Sequence, residues 1–234
     1  MGKNLRQQAR GTGSPRYRSP AHRFLGEVNY SQIPDGASSG MIVDILDAPG
    51  RTSPVSVIDF SGKRILQIAH EGASVGQKID FEAPNNGNIL ELRNVPEGTK
   101  IYNIELHPGD GGKICRSSGC FATITGKEKN KCTILLPSKQ KKILPLRCRA
   151  TIGVVSGAGR TEKPFMKAGT KWYAMRAVNR YYPHVSGVSM NAVDHPFGGK
   201  AKPGKHKTVS RNMPPGKKVG SISARRMGKK KRKA

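Results

Sequence analysis

Apolar and polar positions alternate in short bursts along the first two thirds of the chain, and the bursts are too short for helices. Residues 24–30 read as a strand. Residues 41–46 form an apolar run with Asp44 inside it. VSVIDF at 55–60 and RILQIA at 64–69 are two further runs, separated by Ser61-Gly62-Lys63, a turn of hairpin length. Shorter strands are expected at 77–81 and 89–92. Residues 83–88 look like a boundary, and a second block follows with strands at 100–106, 121–125, 132–135, 142–146 and 150–155. A polar hairpin loop over 126–131 joins two of these. Short strands at turn-marked spacing predict two small antiparallel barrels, because closing a sheet removes its edges. After residue 160 the pattern fades. A short helix is expected within 163–176, and no sustained periodicity follows Val193.

Charge sharpens this division. The chain has 234 residues, with 42 Lys and Arg against 15 Asp and Glu, a formal net charge of +27. Eleven of the fifteen acids lie in residues 31–112, which are net −5. Residues 1–30 carry +5, residues 113–160 carry +10 and residues 161–234 carry +17. The acidic block is therefore expected to face solvent or protein. The first twenty residues and the tail, ending in a Lys and Arg run over 225–233, are expected to order on a polyanion. A pI near 10.4 points to nucleic acid. Gly and Pro number 28 and 16, which disfavours a helix bundle. No apolar run approaches the roughly 20 residues that span a bilayer, and no signal-peptide core precedes the first strand. An intracellular protein without a membrane partner is expected.

Three basic segments are candidate phosphate binders: the N-terminal arm with Arg6, Arg10, Arg16 and Arg18, the 127–149 face, and everything from Arg160 onward. Arg16-Tyr17-Arg18 and the group Lys171, Trp172, Tyr173 and Arg176 interleave cations with rings. Both kinds of group stack on unpaired bases, although Trp172 and Tyr173 could equally fill a seam. Arg116 sits in a basic turn, and Lys200, Lys202, Lys205, His206 and Arg211 extend the tail.

Other chemistries fare worse. Gly199 to Lys205 has P-loop spacing, but His206 replaces the Ser or Thr that would hold magnesium. Cys115, Cys120, Cys132 and Cys148 lack paired C-x2-C knuckles, so free thiols and no metal are expected. Asn191, Asp194 and His195 form the most unusual polar segment. Adjacent residues point apart, so Asp194 and His195 make no triad. A hydrogen-bonding loop histidine is favoured over a catalytic one, and no cofactor or small-molecule substrate is implied.

This segment, GVSMNAVDHPFGG over 187–199, closely resembles the C-terminal signature of the universal large-subunit ribosomal protein L-two family. The Arg116-Ser117-Ser118-Gly119 turn, the Lys127-Glu128 hairpin, Leu136-Pro137-Ser138 and Gly153-Val154-Val155 fall in the family's order. The short arm and Phe197-Gly198-Gly199 resemble the archaeal branch. The resemblance implies a mainly β protein. A basic arm (1–22) would precede an OB-type barrel (23–84) and an SH3-like barrel (85–160), with an extended RNA-threading tail (161–234). It also implies a non-enzymatic cytoplasmic constituent of the ribosome that binds large-subunit ribosomal RNA and neighbouring ribosomal proteins. Such a protein supports subunit assembly and association and helps organise the peptidyl-transferase region. His195 matches the family's histidine, as an RNA-organising residue. Where bacterial relatives carry a second histidine, this chain has Phe197. The competing class is a general nucleic-acid chaperone or chromatin-type protein, which composition alone permits.

Overall fold

A computed structural model describes residues 3–34, 36–200 and 207–224. The chain divides into two compact units: Ala21–Met166, and Met1–Pro20 with Lys167–Ala234.

Two open antiparallel sheets make up the unit Ala21–Met166. The first contains β1 (Ser39–Leu46), β2 (Val55–Phe60), β3 (Lys63–Ile68) and β4 (Lys78–Asp80) in the order β3-β2-β1-β4. The register of β1 against β2 shifts between Ile42 and Asp44, a bulge that admits a polar residue into an apolar run. The Asp44 carboxylate then accepts the N–H of Ile45 at 2.7 Å. The β2–β3 hairpin pairs Phe60 with Lys63 across Ser61 and Gly62, both at positive φ. That is the backbone a two-residue hairpin turn requires.

The second sheet contains β5 (Ile89–Glu91), β6 (Lys100–Tyr102), β7 (Ala122–Lys127), β8 (Lys131–Leu135), β9 (Lys141–Pro145) and β10 (Arg149–Ile152). Their order is β5-β10-β6-β7-β8-β9. Its apolar face packs Leu90, Ile101, Ile124, Ile134, Leu144 and Ile152 with Cys132 and Cys148 into the largest core cluster. Ile42, Ile58, Phe60 and Ile79 fill the first sheet's core. The two sheets also share buried polar contacts. The Tyr30 and Thr151 hydroxyls lie 2.5 Å apart, and the Gln67 amide donates to Thr151 Oγ1 at 2.9 Å. Burial pushes the Tyr30 phenol well above its ordinary range.

Neither sheet closes into a barrel, which corrects the expected OB-type and SH3-like barrels. Strands β3 and β4 end the first sheet and β5 and β9 end the second, each paired on one side only. Strands β4, β5 and β6 span three residues each, which leaves little ladder with which to close a ring. Other groups take up the edges instead. The N–H of Asp80 in β4 donates to Asn88 Oδ1 at 3.1 Å, and the Asn88 amide donates to the Ala83 carbonyl and the Asp80 carboxylate. At the end of β3, the Ile68 carbonyl accepts the Tyr102 hydroxyl at 3.0 Å. Side chains thus satisfy edge groups that closure would have paired.

The expected strand over 24–30 is also corrected. Val28 and Tyr30 are buried at alternate positions, but the segment joins no ladder. Individual bonds hold it: the Val28 carbonyl accepts from Arg116 Nη2 at 2.9 Å, and the Tyr30 N–H donates to the Gly111 carbonyl at 3.4 Å. Alternating burial here reports two anchors and no partner strand.

All four cysteines are free. Burial raises the Cys115 thiol to about 12 and the Cys148 thiol to about 11. Among the described residues no group of three or more His, Cys, Asp or Glu is placed to hold a metal ion.

Among its described residues the unit formed by Met1–Pro20 and Lys167–Ala234 has little regular structure. It contains α1 (Arg6–Gly11), α2 (Ala168–Ala177), and a two-residue parallel ladder of β11 (Thr208–Val209) with β12 (Ser221–Ile222). The basic arm expected over 1–22 thus includes a helix. Leu5, buried at the start of α1, donates its N–H to Gln8 Oε1 at 2.8 Å. Helix α2 overlaps the expected region, ending one residue past it, and buries none of its residues. A helix without a core-facing stripe gains no packing energy of its own.

Candidate nucleic-acid interface

The unit Met1–Pro20 with Lys167–Ala234 carries twenty-three Lys and Arg and a single acid, Asp194. Among the described residues its one ion pair joins Lys3 Nζ to Asp194 at 3.1 Å. With no other carboxylates available, aromatic rings take up the cations. Tyr181 receives two guanidinium groups, Arg6 at 3.6 Å and Arg16 at 5.3 Å from its centroid. Arg10 lies 6.0 Å over Tyr17, Arg176 5.1 Å over Trp172, and the Lys171 ammonium 5.2 Å over Tyr182. A ring quadrupole holds a cation without neutralising it, so these groups keep their full charge. The Asn179 amide fixes the N-terminal segment by donating to the Pro15 and Arg18 carbonyls.

Residues 187–199 form a compact loop in the same unit. The N–H groups of Asp194 and His195 both donate to the Asn191 carbonyl, at 3.0 and 3.2 Å, and that of Gly198 donates to the His195 carbonyl at 2.8 Å. His195 Nδ1 accepts the Phe197 N–H at 3.0 Å. The acceptor role requires an unprotonated Nδ1, so the neutral ring carries its proton on Nε2. Burial also lowers the His195 pKa from its ordinary value, which favours that neutral form. The ring packs at 5.1 Å from that of Phe197.

Two glycines make the packing possible. A Cβ on Gly187 would come within 2.3 Å of the His195 ring, and one on Gly198 within 2.1 Å of the Asn191 carbonyl oxygen. The loop and α1 line an open cleft of about 960 Å³, with Arg6, Arg10, Tyr181, His184, His195 and Lys207 among its walls.

The structure therefore gathers Arg6, Arg10, Arg16, Lys171, Trp172, Arg176, Asn191, Asp194 and His195 within one unit. Arg18, Lys200 and Arg211 are exposed on it. Lys202, Lys205 and His206 lie outside the described residues, as do most of the 199–205 P-loop spacing and the run over 225–233. Arg116 and Arg160 belong to the other unit. Arg160 is exposed, with Nε donating to Ser118 Oγ at 3.2 Å. Arg116 is engaged internally, by the Gly112 and Val28 carbonyls at 2.9 Å each, and burial lowers its pKa. Sequence reasoning missed Lys3, Tyr181 and Tyr182. The two tyrosines carry the same signal that singled out Trp172, rings among cations in a segment almost free of acids.

Residues 85–219 match the family described as Ribosomal Proteins L2, C-terminal domain. Over its whole length the chain is similar to proteins called large ribosomal subunit protein uL2. It is 48% identical to that of Methanothermobacter thermautotrophicus, covering 99% of this chain and 100% of the relative. It is 47% identical to that of Methanococcus vannielii, covering 98% and 100%. The protein of Haloarcula marismortui is 44% identical, covering 98% of each.

Proposed function

The chain belongs to the uL2 family of large-subunit ribosomal proteins, and from that premise we propose that it works as a structural constituent of the large subunit, bound to ribosomal RNA through the cation-bearing rings and the 187–199 loop. The end-to-end similarity to archaeal uL2 proteins carries this reading. The protein is not an enzyme. It resides in the cytoplasm on the ribosome, where it supports subunit assembly and association and helps organise the peptidyl-transferase region. Its partners are large-subunit ribosomal RNA and neighbouring ribosomal proteins. Neither a membrane nor a small-molecule substrate is among them, and no helix of the described residues is long and apolar enough to cross a membrane.

Arg6, Arg10, Arg16, Arg18, Lys171, Arg176, Lys200 and Arg211 neutralise phosphates in this reading, with Lys202, Lys205 and His206 extending the basic track. Arg160 adds a cation from the other unit. Arg116, with two of its donors given to carbonyls, positions the 24–30 segment as well as contributing charge. A-form RNA hides its base edges in a deep major groove, so these contacts read backbone and shape. The test is sedimentation of cell extract on sucrose gradients. Stoichiometric co-migration with large subunits through a salt wash is expected. A substoichiometric, salt-labile spread would instead support a general nucleic-acid chaperone.

His195 presents Nε2–H from a ring fixed by the Phe197 N–H. Replacement by alanine removes that acceptor, worth about 1 kcal/mol. His195→Ala is expected to leave the melting of the Ala21–Met166 sheets unchanged. The yield of active large subunits should fall about fivefold, because the loop loses its fixed shape. Reconstitution of subunits with the variant and a peptide-bond assay measure this. Normal assembly and normal rates would make His195 dispensable.

A further inference from the structure

Beside the cleft described above, Arg16, Trp172, Arg176, Arg180, Tyr181 and Tyr182 line a separate cavity of about 380 Å³. Its size falls within the roughly 300–1,000 Å³ typical of small-molecule sites. Its lining pairs three guanidinium groups with three aromatic rings and includes no carboxylate. The rings are not used as a hydrophobic core: Trp172 is 37% exposed, and α2, which carries it, buries nothing. Tyr181 is occupied by Arg6 and Arg16. Trp172 and Tyr182 each hold a single cation, Arg176 and Lys171.

Phosphate binding alone does not call for this composition. A paired helix presents phosphates and a shallow minor groove, and lysines or arginines on an open surface satisfy it. Indole and phenol rings in a concave site, flanked by guanidinium planes, match the π-face of a base that has left its stack, while the free guanidinium N–H groups match the adjoining phosphate. We infer that this cavity is a binding site for a single unpaired nucleotide, with Trp172 and Tyr182 as the stacking surfaces and Arg16, Arg176 and Arg180 as the phosphate contacts. The inference rests on the reading of the chain as an RNA-binding constituent of the large subunit. It adds a site that takes one extruded nucleotide.

Trp172 is the chain's only tryptophan, so the fluorescence of the intact protein reports this site directly. Three RNA hairpins are titrated: one with a single bulged adenosine, one with an abasic ribose at the bulge, and one fully paired. Stacking on an aromatic residue contributes about a 5- to 150-fold gain in affinity per base. The bulged adenosine should quench Trp172 and bind tighter than the abasic hairpin by a factor in that range. Trp172→Ala and Tyr182→Ala should each reduce that preference, without changing the melting of the sheets. The abasic probe leaves the protein untouched, so the comparison holds even if a variant misfolds. Equal affinity for all three hairpins without quenching, in a chain that still binds large-subunit ribosomal RNA, would overturn the nucleotide site alone. Failure to bind that RNA at all would overturn the functional reading beneath it as well.

Discussion

Glu105→Ala is expected to lower the stability of the protein by about 3–5 kcal/mol, the cost of breaking a buried ion pair by removing one partner. The Glu105 side chain is fully buried and collects five donors. Two come from the Arg149 guanidinium, at 3.0 and 3.2 Å. Three are backbone N–H groups, of Arg149 at 2.8 Å, Gly111 at 3.2 Å and Gly109 at 3.3 Å. The carboxylate thereby ties strand β10 to the loop that follows β6. The same guanidinium lies 5.5 Å over the Tyr30 ring, in the core of the first sheet. Truncation would strand the buried N–H of Gly111, the partly buried N–H groups of Arg149 and Gly109, and a partly buried cation.

The converse change, Arg149→Ala, should cost less, because the carboxylate keeps its three backbone donors and the Arg149 side chain is 31% exposed. Urea unfolding followed by circular dichroism measures both. A wild-type midpoint for Glu105→Ala, or a larger loss for Arg149→Ala, would show that the carboxylate is not what joins these elements. Since small domains are stable by only about 5–15 kcal/mol, the expected loss is a large share of the whole.

Binding of the isolated chain to a large-subunit ribosomal RNA fragment should weaken by about 10³- to 10⁵-fold between 50 and 200 mM salt, as for a protein making roughly 6–10 phosphate contacts. The reason is the lone acid among twenty-three cations in the unit that holds the candidate interface. Each phosphate neutralised releases condensed counterions, and salt in solution opposes that release. The triple variant Arg6→Gln, Arg16→Gln, Arg176→Gln should make the slope of log affinity against log salt shallower by about 3, one for each guanidinium withdrawn from a phosphate. Filter binding across a salt series gives both slopes. An unchanged slope in the triple variant would mean that these guanidinium groups serve the rings and not the RNA. The dependence belongs to the isolated chain. Within a subunit, segments held at once would each raise the effective concentration of the next, so persistence through a salt wash is the expected outcome there.

Much of this protein is legible in its sequence because the relevant signals are local. Alternation places the strands from β1 to β10 to within a few residues. Ser61-Gly62 marks its own turn, and the segregation of eleven acids into residues 31–112 sets the chain's one acidic block apart from the basic segments on either side. The 187–199 segment carries the family likeness in thirteen consecutive residues. What tertiary structure decided concerns pairs far apart in the chain. Alternation says that a strand has one buried face, but not whether the first strand of a sheet meets the last, so it predicts two barrels where two open sheets stand. The same blindness makes a strand of Val28 and Tyr30, since burial at every second position looks alike with or without a ladder. No spacing rule brings Arg6 to Tyr181 or Lys3 to Asp194, and none distinguishes Arg116, spent on two carbonyls, from the exposed Arg160. A residue's charge belongs to its type, whereas its hydrogen-bond partner depends on which distant segment the folded chain brings beside it.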